Sequence, residues 1–360
     1  ADTMHKRCEP SDSDDESTER KRARLQRALV AGTFPEGSDP FPESALALSC
    51  GSCATPFWKT AASQKNSPKE ESRAPPRPPL RDFSVSMPRL SLSDVDLNLL
   101  PQQVKAALDF LVLLNPCDIV TDALAAQQPT LLPPQQEAHR GRRTLVLDLD
   151  ETLVHCHCQA VPSLGSADLD LELESGEPKV VMKAKVYVRP SARRLLLLAA
   201  EKFEVVVFTA SASIYADKVL DFLDPGRILI AHRLYREACT EIAGGHFKDL
   251  RKLGRHMKDV VLVDNSPLAP GLVPENGLLV SSWYGDDWQD TELNSVVVLL
   301  NKLAAAKSLP EYLEQRYGFK SFLQELRSAS VRSTKPLLSA ATVRLQMWGM
   351  NAGSAVTQVR

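Results

Sequence analysis

The sequence has no long apolar segment and no excess of charge of either sign. Its longest uninterrupted apolar run is six residues, from Leu195 to Ala200, whereas a helix that crosses a bilayer needs about 20. We therefore expect no membrane span. Lysine and arginine number 43 and aspartate and glutamate 45, which gives a net charge of −2 at pH 7. This balance argues against direct nucleic-acid binding, which usually depends on excess positive charge.

Cysteine is also scarce, with 7 residues spread over a chain of 360. An odd number of cysteines at wide spacing is not a disulfide framework, so we expect free thiols. Hydrophobic residues make up 43% and charged residues 24% of the chain, which is typical of a soluble protein. The length allows one large domain or two modest ones with a genuine core.

Proline is unevenly distributed, because 16 of the 25 prolines lie at or before Pro134. Residues 1–90 are rich in proline, serine and charge, and such a segment cannot bury enough apolar surface to offset its ordering entropy. We predict a disordered tail there. Its basic run at residues 20–24, RKRAR, has two interpretations, a nuclear address or a solvated charged segment.

Between this tail and the predicted domain, residues 91–141 form a linker that regains apolar residues. Four apolar residues at near-helical spacing follow Pro101, namely Val104, Leu108, Leu111 and Leu114. They predict a short amphipathic helix that packs on the following domain. Residues 328–360, at the other end of the chain, have no assigned structure.

Residues 142–327 alternate short apolar runs with helical patterns. The apolar runs cover residues 144–149, 205–208 and 260–263, and the helical patterns cover 191–202, 213–223, 247–253 and 291–306. Buried runs of this length between helices predict an α/β domain with a doubly wound parallel sheet, covered on both faces. Acids and leucines alternate over 168–174, and lysines occur within 180–188, which predicts a small β-hairpin insertion.

The carboxyl ends of the predicted strands carry polar residues that could perform chemistry. Asp148, Asp150, Thr209 and the pair Asp264 and Asn265 should meet at one edge of the sheet. Clustered carboxylates with oxygen ligands favour Mg²⁺. Asp148 can then attack phosphorus, and Asp150 can transfer a proton. Negative charge on the phosphoryl oxygens would be stabilised by Thr209 and by Lys248, which lies in the GGHFKD segment. Singly, the two aspartates are typical of an ordinary loop, Thr209 of a strand end and Lys248 of a solvated helix.

Together, four segments resemble the motifs of the haloacid-dehalogenase superfamily, in its branch of small carboxy-terminal-domain phosphatases and closest to the CTD small phosphatase-like proteins. They are residues 148–155 (DLDETLVH), 208–211 (FTAS), 248–250 (KDL) and 264–267 (DNSP). The resemblance implies a Rossmannoid fold and a Mg²⁺-dependent protein serine/threonine phosphatase that works through an aspartyl-phosphate. Fewer than 60 residues separate Asp150 from Thr209, too few for a large cap domain.

The resemblance also implies a role for each matching residue. Asp148 is the nucleophile and Asp150 the acid/base, while Thr209 and Lys248 hold the phosphoryl group. The metal site consists of Asp148, Asp150, Asn265 and Asp264. The substrate is contacted by Thr152, Ser211 and Arg236. The implied partner is a phosphorylated protein, with the RNA polymerase II carboxy-terminal domain as one candidate. A monomer in the nucleus is expected, with the cytoplasm as the alternative.

Two other functions stay open at this point. One is a non-catalytic interaction domain, like the relatives found in a mitochondrial preprotein translocase. The other is a phosphatase of a small metabolite or a lipid regulator, which a site without a cap also allows. A zinc site at residues 155–158 (HCHC) is disfavoured, because alternation in an extended segment puts the histidines on one face and the thiols on the other. The CGSC segment at residues 50–53 lacks the second pair that a zinc site needs.

Overall fold

The structure is a computed structural model that describes residues 83–114, 128–157, 162–175 and 180–332. Its strands are β1 (Arg143–Leu147), β2 (Val154–His157), β3 (Leu169–Ser175), β4 (Val180–Val188), β5 (Phe203–Phe208), β6 (His232–Leu234), β7 (Thr240–Ile242), β8 (Gly245–Phe247), β9 (Val260–Asp264) and β10 (Gly277–Leu279). Its α-helices are α1 (Gln102–Leu113), α2 (Ala192–Lys202), α3 (Ser213–Leu223), α4 (Glu292–Ala305), α5 (Leu309–Arg316) and α6 (Phe319–Arg332).

Five strands form one parallel sheet at the centre of the molecule, in the order β10-β9-β1-β5-β6. Every residue of β5, β9 and β10 is buried. Continuous burial of this kind is typical of parallel strands that are covered on both faces. The predicted α/β fold with a doubly wound parallel sheet is therefore confirmed.

The pleat of the strands divides the apolar core between the two faces of this sheet. Leu145 and Leu147 of β1 pack with residues of α2, α3 and α4 on one face. Val146, between them, points the opposite way and packs with Leu250 and Leu253. This alternation follows from the two-residue period of a strand. Helices α1 and α6 pack beside Leu279 at the β10 edge.

The prediction of a helix over residues 247–253 is wrong. Residue 247 ends β8, and only the short 3-10 turn Leu250–Leu253 follows. Asp249 keeps an extended backbone, and its carboxylate accepts a hydrogen bond from the backbone N–H of Arg251 at 3.2 Å. Gly254, at φ 70°, then ends the turn in the left-handed region that glycine tolerates best.

The predicted hairpin is present, because β3 and β4 pair antiparallel, and β2 adds to the other side of β4. Directly opposite residues form two ion pairs on its surface, Asp170 with Lys185 at 2.6 Å and Glu172 with Lys183 at 2.7 Å. The leucines between these acids turn to the other side and join the core. Between Asp150 and the central strand β5, the described residues thus form mainly a small three-stranded sheet and helix α2.

Residues 83–114 pack against the domain that follows them. The predicted disordered tail lies outside the described residues except for 83–90, where Phe83 and Leu90 are buried. Helix α1 begins directly after Pro101, at the predicted position, and contacts α6. Helix α6 extends to Arg332, beyond residue 327 where the predicted domain ends, and its apolar face joins the same cluster as α1.

Two further observations concern membrane spans and thiols. None of the described helices has the length and apolar composition that crossing a membrane would require. Of the two cysteines within the described ranges, Cys239 is a free thiol and Cys156 is buried in the apolar core. The CGSC segment at residues 50–53 and the tail from residue 333 onward lie outside those ranges.

Candidate active site

The chain turns sharply after β1 and brings two aspartates to the carboxyl edge of the sheet. The backbone N–H of Asp148 donates to the carbonyl of Val263 at 3.0 Å, which fixes Asp148 beside the end of β9. Glu151 adopts a φ of 59° in the turn. Leu149 and Leu153 are fully buried, and the N–H of Leu153 donates to the carbonyl of Leu149 at 2.8 Å. The two leucines therefore anchor the turn while its polar residues face the edge.

Lys248 lies between two carboxylates at the centre of this edge. Its Nζ donates to Asp148 Oδ1 and to Asp264 Oδ2, the latter at 2.6 Å. All three side chains are buried. Burial alone would lower the pKa of Lys248, but the charges of Asp148 and Asp264 outweigh it and hold this pKa above its ordinary value. Lys248 therefore carries a positive charge inside the site.

Thr152 connects Asp148 to Asn265. Its Oγ1 lies 2.9 Å from Asp148 Oδ2 and 3.2 Å from Asn265 Oδ1, and it is fully buried. The Nδ2 of Asn265 donates to Ser282 Oγ at 3.0 Å. This bond fixes the side-chain amide, so that its oxygen faces Thr152 and Asp148.

Asp150 is surrounded by hydroxyl groups. Ser211 Oγ donates to its Oδ2 at 2.6 Å, and the hydroxyl of Tyr215 donates to its Oδ1 at 2.7 Å. Burial of the carboxyl group, followed by the charge of Glu151, raises the pKa of Asp150 to about 7, although both hydroxyls oppose the shift. A group with this pKa can both give and take a proton near neutral pH.

The loop after β5 brings Thr209 and Ser211 close to Asp150, and Arg236 binds the backbone of this loop. Thr209 Oγ1 accepts a hydrogen bond from the backbone N–H of Ser211 at 3.0 Å and lies 3.4 Å from Asp150 Oδ2. Arg236 follows β6, and its Nε donates to the carbonyl of Ala210 at 2.5 Å. The N–H of Arg236 also donates to the carbonyl of Ser211 at 3.1 Å.

The structure thus brings together every residue that the sequence singled out. Thr152, Lys248, Asp264 and Asn265 surround Asp148, whereas Thr209, Ser211 and Arg236 group around Asp150. The catalytic, metal-binding and substrate-binding roles of these residues stay predictions.

Sequence reasoning assigned no role to Tyr215 or Arg189, two residues that support the site. Arg189 is 1% exposed and donates to the carbonyls of Thr152 and Ser281 at 3.3 and 2.7 Å. Its charge is paired with Asp290 at 2.8 Å. An arginine directly after the predicted strand at residues 180–188 was the available signal for Arg189. Tyr215, at the start of a helix, gave no signal beyond the resemblance.

The alternation predicted for residues 155–158 is observed as far as the described residues go. The Nε2 atoms of His155 and His157 lie 2.9 Å apart on one face of β2, and Nδ1 of His155 lies 3.1 Å from Glu151 Oε1. Cys156 belongs to the apolar core, and residue 158 lies outside the described ranges. Over those ranges, no group of three or more histidine, cysteine, aspartate or glutamate side chains is arranged to hold a metal ion.

The donors around Asp148 nevertheless fit Mg²⁺, because they are oxygens of mixed type. The carboxylate of Asp148 and the amide oxygen of Asn265 both contact the hydroxyl of Thr152. Mg²⁺ is typically held by one or two carboxylates, with water and substrate phosphate completing its shell. Asp148 and Asp264 share the single ammonium of Lys248, and Asp150 is a third carboxylate at the same edge. A cation would therefore reduce the repulsion among these carboxylates.

Residues 143–310 match the family model of the NLI interacting factor-like phosphatases. The matched range spans slightly less than half of the chain. Phosphatase PSR1 of Saccharomyces cerevisiae is 42% identical over 180 residues, which cover 50% of this chain and 40% of the relative. A probable C-terminal domain small phosphatase of Dictyostelium discoideum is 42% identical over 185 residues, with coverage of 51% and 58%.

A human relative is named carboxy-terminal domain RNA polymerase II polypeptide A small phosphatase 2. It is 38% identical over 187 residues, which cover 51% of this chain and 66% of the relative. The chain therefore spans between 40% and 66% of the length of these three relatives. Among solved structures, the fission yeast RNA polymerase II CTD phosphatase Fcp1 bound to beryllium fluoride is 16% identical, with a TM-score of 0.35 and coverage of 56% of this chain and 70% of that one.

All the predicted site residues fall inside the matched range, from Asp148 near its start to Asn265. Residues 83–114 and helix α6 lie outside the matched range and pack on it. The match therefore includes the candidate site, whereas these flanking segments lie outside it.

Proposed function

We propose that this chain is a phosphatase that hydrolyses phosphoserine or phosphothreonine in other proteins through an aspartyl-phosphate on Asp148. The observation that carries this proposal is the contrast between two aspartates at one edge of the sheet. Asp148 is paired with the charged Lys248, whereas Asp150 is bound by hydroxyls and has a pKa raised to about 7. The first environment suits a nucleophile and the second an acid/base. The family name supports the same reaction class.

The reaction has two steps. In the first, an Oδ atom of Asp148 attacks phosphorus, the bond from phosphorus to the serine or threonine oxygen breaks, and Asp150 gives its proton to that oxygen. In the second, water attacks the aspartyl-phosphate and Asp150 takes a proton from it. Inorganic phosphate leaves, and both carboxyl groups return to their starting states. Lys248 and Thr209 donate to the phosphoryl oxygens during both steps.

Mg²⁺ would be held by Asp148, by the backbone carbonyl of Asp150 and by Asn265, with Asp264 beside them. When bound, it neutralises charge that builds up on the phosphoryl oxygens. Thr152 orients Asp148 and Asn265 toward each other. On the other side of the site, Ser211 and Arg236 would contact the substrate next to its phosphate.

A protein substrate is supported by the small size of the insertion between Asp150 and Thr209. Its described residues form a three-stranded sheet beside the site, and an open site can admit a phosphorylated segment of another chain. The human relative's name makes the RNA polymerase II carboxy-terminal domain the first candidate, and nuclear residence follows from it. Detection of the tagged chain in the cytoplasm alone would reject that residence.

The substrate class can be tested by phosphate release in the presence of Mg²⁺. We expect faster turnover of a phosphoserine peptide from the RNA polymerase II carboxy-terminal domain than of a sugar phosphate or of a phosphatidic acid vesicle. A phosphoserine peptide of unrelated sequence measures the preference among proteins. Faster phosphate release from the vesicle would indicate a lipid substrate, and faster release from the sugar phosphate would indicate a metabolite. Either result would contradict a protein substrate.

The catalytic assignment can be tested with Asp148→Asn. The amide is a poor nucleophile, so Mg²⁺-dependent hydrolysis of an aryl phosphate should fall by at least about a thousandfold. Asp170→Asn is the matched control, because it removes an exposed carboxylate of the hairpin that pairs with Lys185; its activity should equal that of the wild type. Retention of activity in Asp148→Asn, or turnover that is unaffected by a metal chelator, would contradict the proposed mechanism.

A further inference from the structure

Helix α1 packs on the loop that carries Lys248, although it lies outside the residues that match the family. We propose that α1 is a positioning element for Lys248 and that Phe110 and Leu111 are its positioning residues. This inference rests on the proposed function, in which Lys248 holds the phosphoryl group.

The first contact lies directly before Lys248 in the chain. Phe110 is 4% exposed, and its ring centroid lies 6.1 Å from that of Phe247. Gly245, at the other end of β8, faces the same ring so closely that a Cβ atom there would lie 3.1 Å from it. Helix α1 therefore backs the whole of the three-residue strand β8 that leads to Lys248.

The second contact lies behind the backbone partner of Lys248. The N–H of Lys248 donates to the carbonyl of Ala269 at 3.0 Å. Leu111 is fully buried and covers Gly271, two residues further along the same turn, with no room for a side chain in place of the glycine hydrogen. Both segments that fix the backbone of Lys248 thus rest on α1.

The helix is itself fixed from outside the sheet. Arg327 of α6 donates to the carbonyl of Leu111 at 3.2 Å, and the hydroxyl of Tyr284 donates to Gln103 Oε1 at 2.9 Å. These contacts hold α1 against the domain independently of the residues in β8. The helix can therefore act as a rigid support for the loop.

Lys248 has little freedom to compensate for movement of this support. Its buried ammonium contacts both Asp148 and Asp264, so a shift of the loop changes both contacts together. Misplacement of a catalytic group by about 1 Å can cost about a hundredfold in rate. A smaller change in the support should therefore lower the rate without removing any group that touches substrate.

The test compares two substitutions of the same type in one apolar cluster. Phe110→Leu removes the ring that backs β8, and kcat for an aryl phosphate should fall about tenfold. Phe322→Leu is the matched control, because Phe322 is fully buried in the same cluster but has Phe83 as its ring partner, at 6.0 Å. It should lower the melting temperature by a similar amount and leave kcat within about twofold of the wild type. Equal losses of kcat in both variants would overturn the proposal.

Two further measurements separate positioning from general destabilisation. In a Lys248→Met background, Phe110→Leu should lower the residual activity no further, because Phe110 affects the rate only by positioning Lys248. An additive loss of activity in the double variant would contradict this explanation. Hydrogen exchange of residues 244–250 should become faster in Phe110→Leu and stay unchanged in Phe322→Leu. This readout does not need turnover. An inactive wild type would reject the proposed function, while unchanged exchange in Phe110→Leu would reject the positioning role of α1.

Discussion

At the scale of single residues, the acid/base behaviour of Asp150 depends on the hydroxyl groups around it. A hydrogen bond to the ionised carboxylate lowers its pKa, and Tyr215 and Ser211 both have this effect. Burial is the larger influence and keeps the pKa at about 7. Loss of one hydroxyl should therefore move the pKa of Asp150 further upward.

Tyr215→Phe tests this balance. The first chemical step needs protonated Asp150, so its rate falls as pH rises through the pKa of that group. One hydrogen bond contributes about 0.5–1.5 kcal/mol, which corresponds to about half a pH unit to one unit. The alkaline limb of the kcat/KM profile should therefore move by that amount to higher pH.

The control for this shift is Tyr235→Phe. The hydroxyl of Tyr235 donates to Asp217 at 2.7 Å rather than to the catalytic carboxylate, so its removal should leave the pH profile in place. A profile for Tyr215→Phe that coincides with the wild type, or moves to lower pH, would show that Asp150 does not supply the proton.

At the scale of secondary-structure elements, Glu204 connects several segments at the amino end of the sheet. It lies in β5, is fully buried, and accepts two hydrogen bonds from Arg255, both at 2.7 Å. Thr144 of β1 donates to it at 2.9 Å, and His232 of β6 lies within 3.4 Å. Burial raises the pKa of Glu204, but the hydrogen bonds from Arg255, His232 and Thr144 outweigh it, so this pKa lies well below its ordinary value.

Glu204→Gln should therefore destabilise the fold in a pH-dependent way. A carboxylate whose pKa is lowered on folding adds stability above its ordinary pKa of 4.5, and this stability is lost as pH falls below it. At pH 7 the substitution leaves Arg255 buried without its partner, which should cost about 3 kcal/mol of unfolding free energy. Urea unfolding at pH 7 and pH 3.5 measures the effect, which should shrink at the lower pH.

The exposed ion pair of the hairpin is the control for Glu204. Glu172→Gln removes a partner of Lys183 that is largely solvated, and such pairs add little to stability. Its unfolding curve should match the wild type at both pH values. A loss in Glu204→Gln that is equal at pH 7 and pH 3.5 would show that the charge of Glu204 does not contribute.

The elements that the sequence predicted correctly are those whose pattern is local. Continuous apolar runs marked β1, β5 and β9, and alternating acids and leucines marked β3. Residues 247–253 have apolar residues at helical spacing, but they do not form a helix. Leu250 and Leu253 fill the core, while Lys248 extends into the site. Tertiary contacts, and not local propensity, decide such a segment.

At the scale of the whole molecule, sequence reasoning brought the candidate site residues to one edge of the sheet but did not predict the side-chain contacts around them. The carboxyl-edge rule places Asp148, Thr209 and Asp264 together once the strand order is parallel. No comparable rule connects Tyr215 with Asp150 or Phe110 with Phe247, because these contacts depend on how helices sit against the sheet. The apolar cluster shared by α1 and α6 joins segments more than 200 residues apart, so no window of sequence contains it.

That cluster predicts how much the segment before the phosphatase domain contributes to stability. Residues 83–114 bury seven large apolar side chains in it: Phe83, Leu90, Val104, Leu108, Phe110, Leu111 and Leu114. Burial of each such side chain contributes about 1.5–3 kcal/mol, so the seven together contribute roughly 10–20 kcal/mol, which is comparable to the net stability of a typical domain, about 5–15 kcal/mol. Removing the segment would also expose Phe247, Phe319 and Phe322, its partners on the domain.

Two truncations test this contribution. A chain of residues 83–360 keeps the cluster and should unfold within about 3 °C of the full chain, whereas a chain of residues 129–360 should lose its cooperative transition or melt at least about 10 °C lower. Circular dichroism during heating distinguishes these outcomes. Dye binding to exposed apolar surface should rise only in the shorter chain, because only that chain uncovers the three phenylalanines. A melting temperature for residues 129–360 equal to that of the full chain would show that the phosphatase domain is stable without α1, and that the helix contributes to positioning alone.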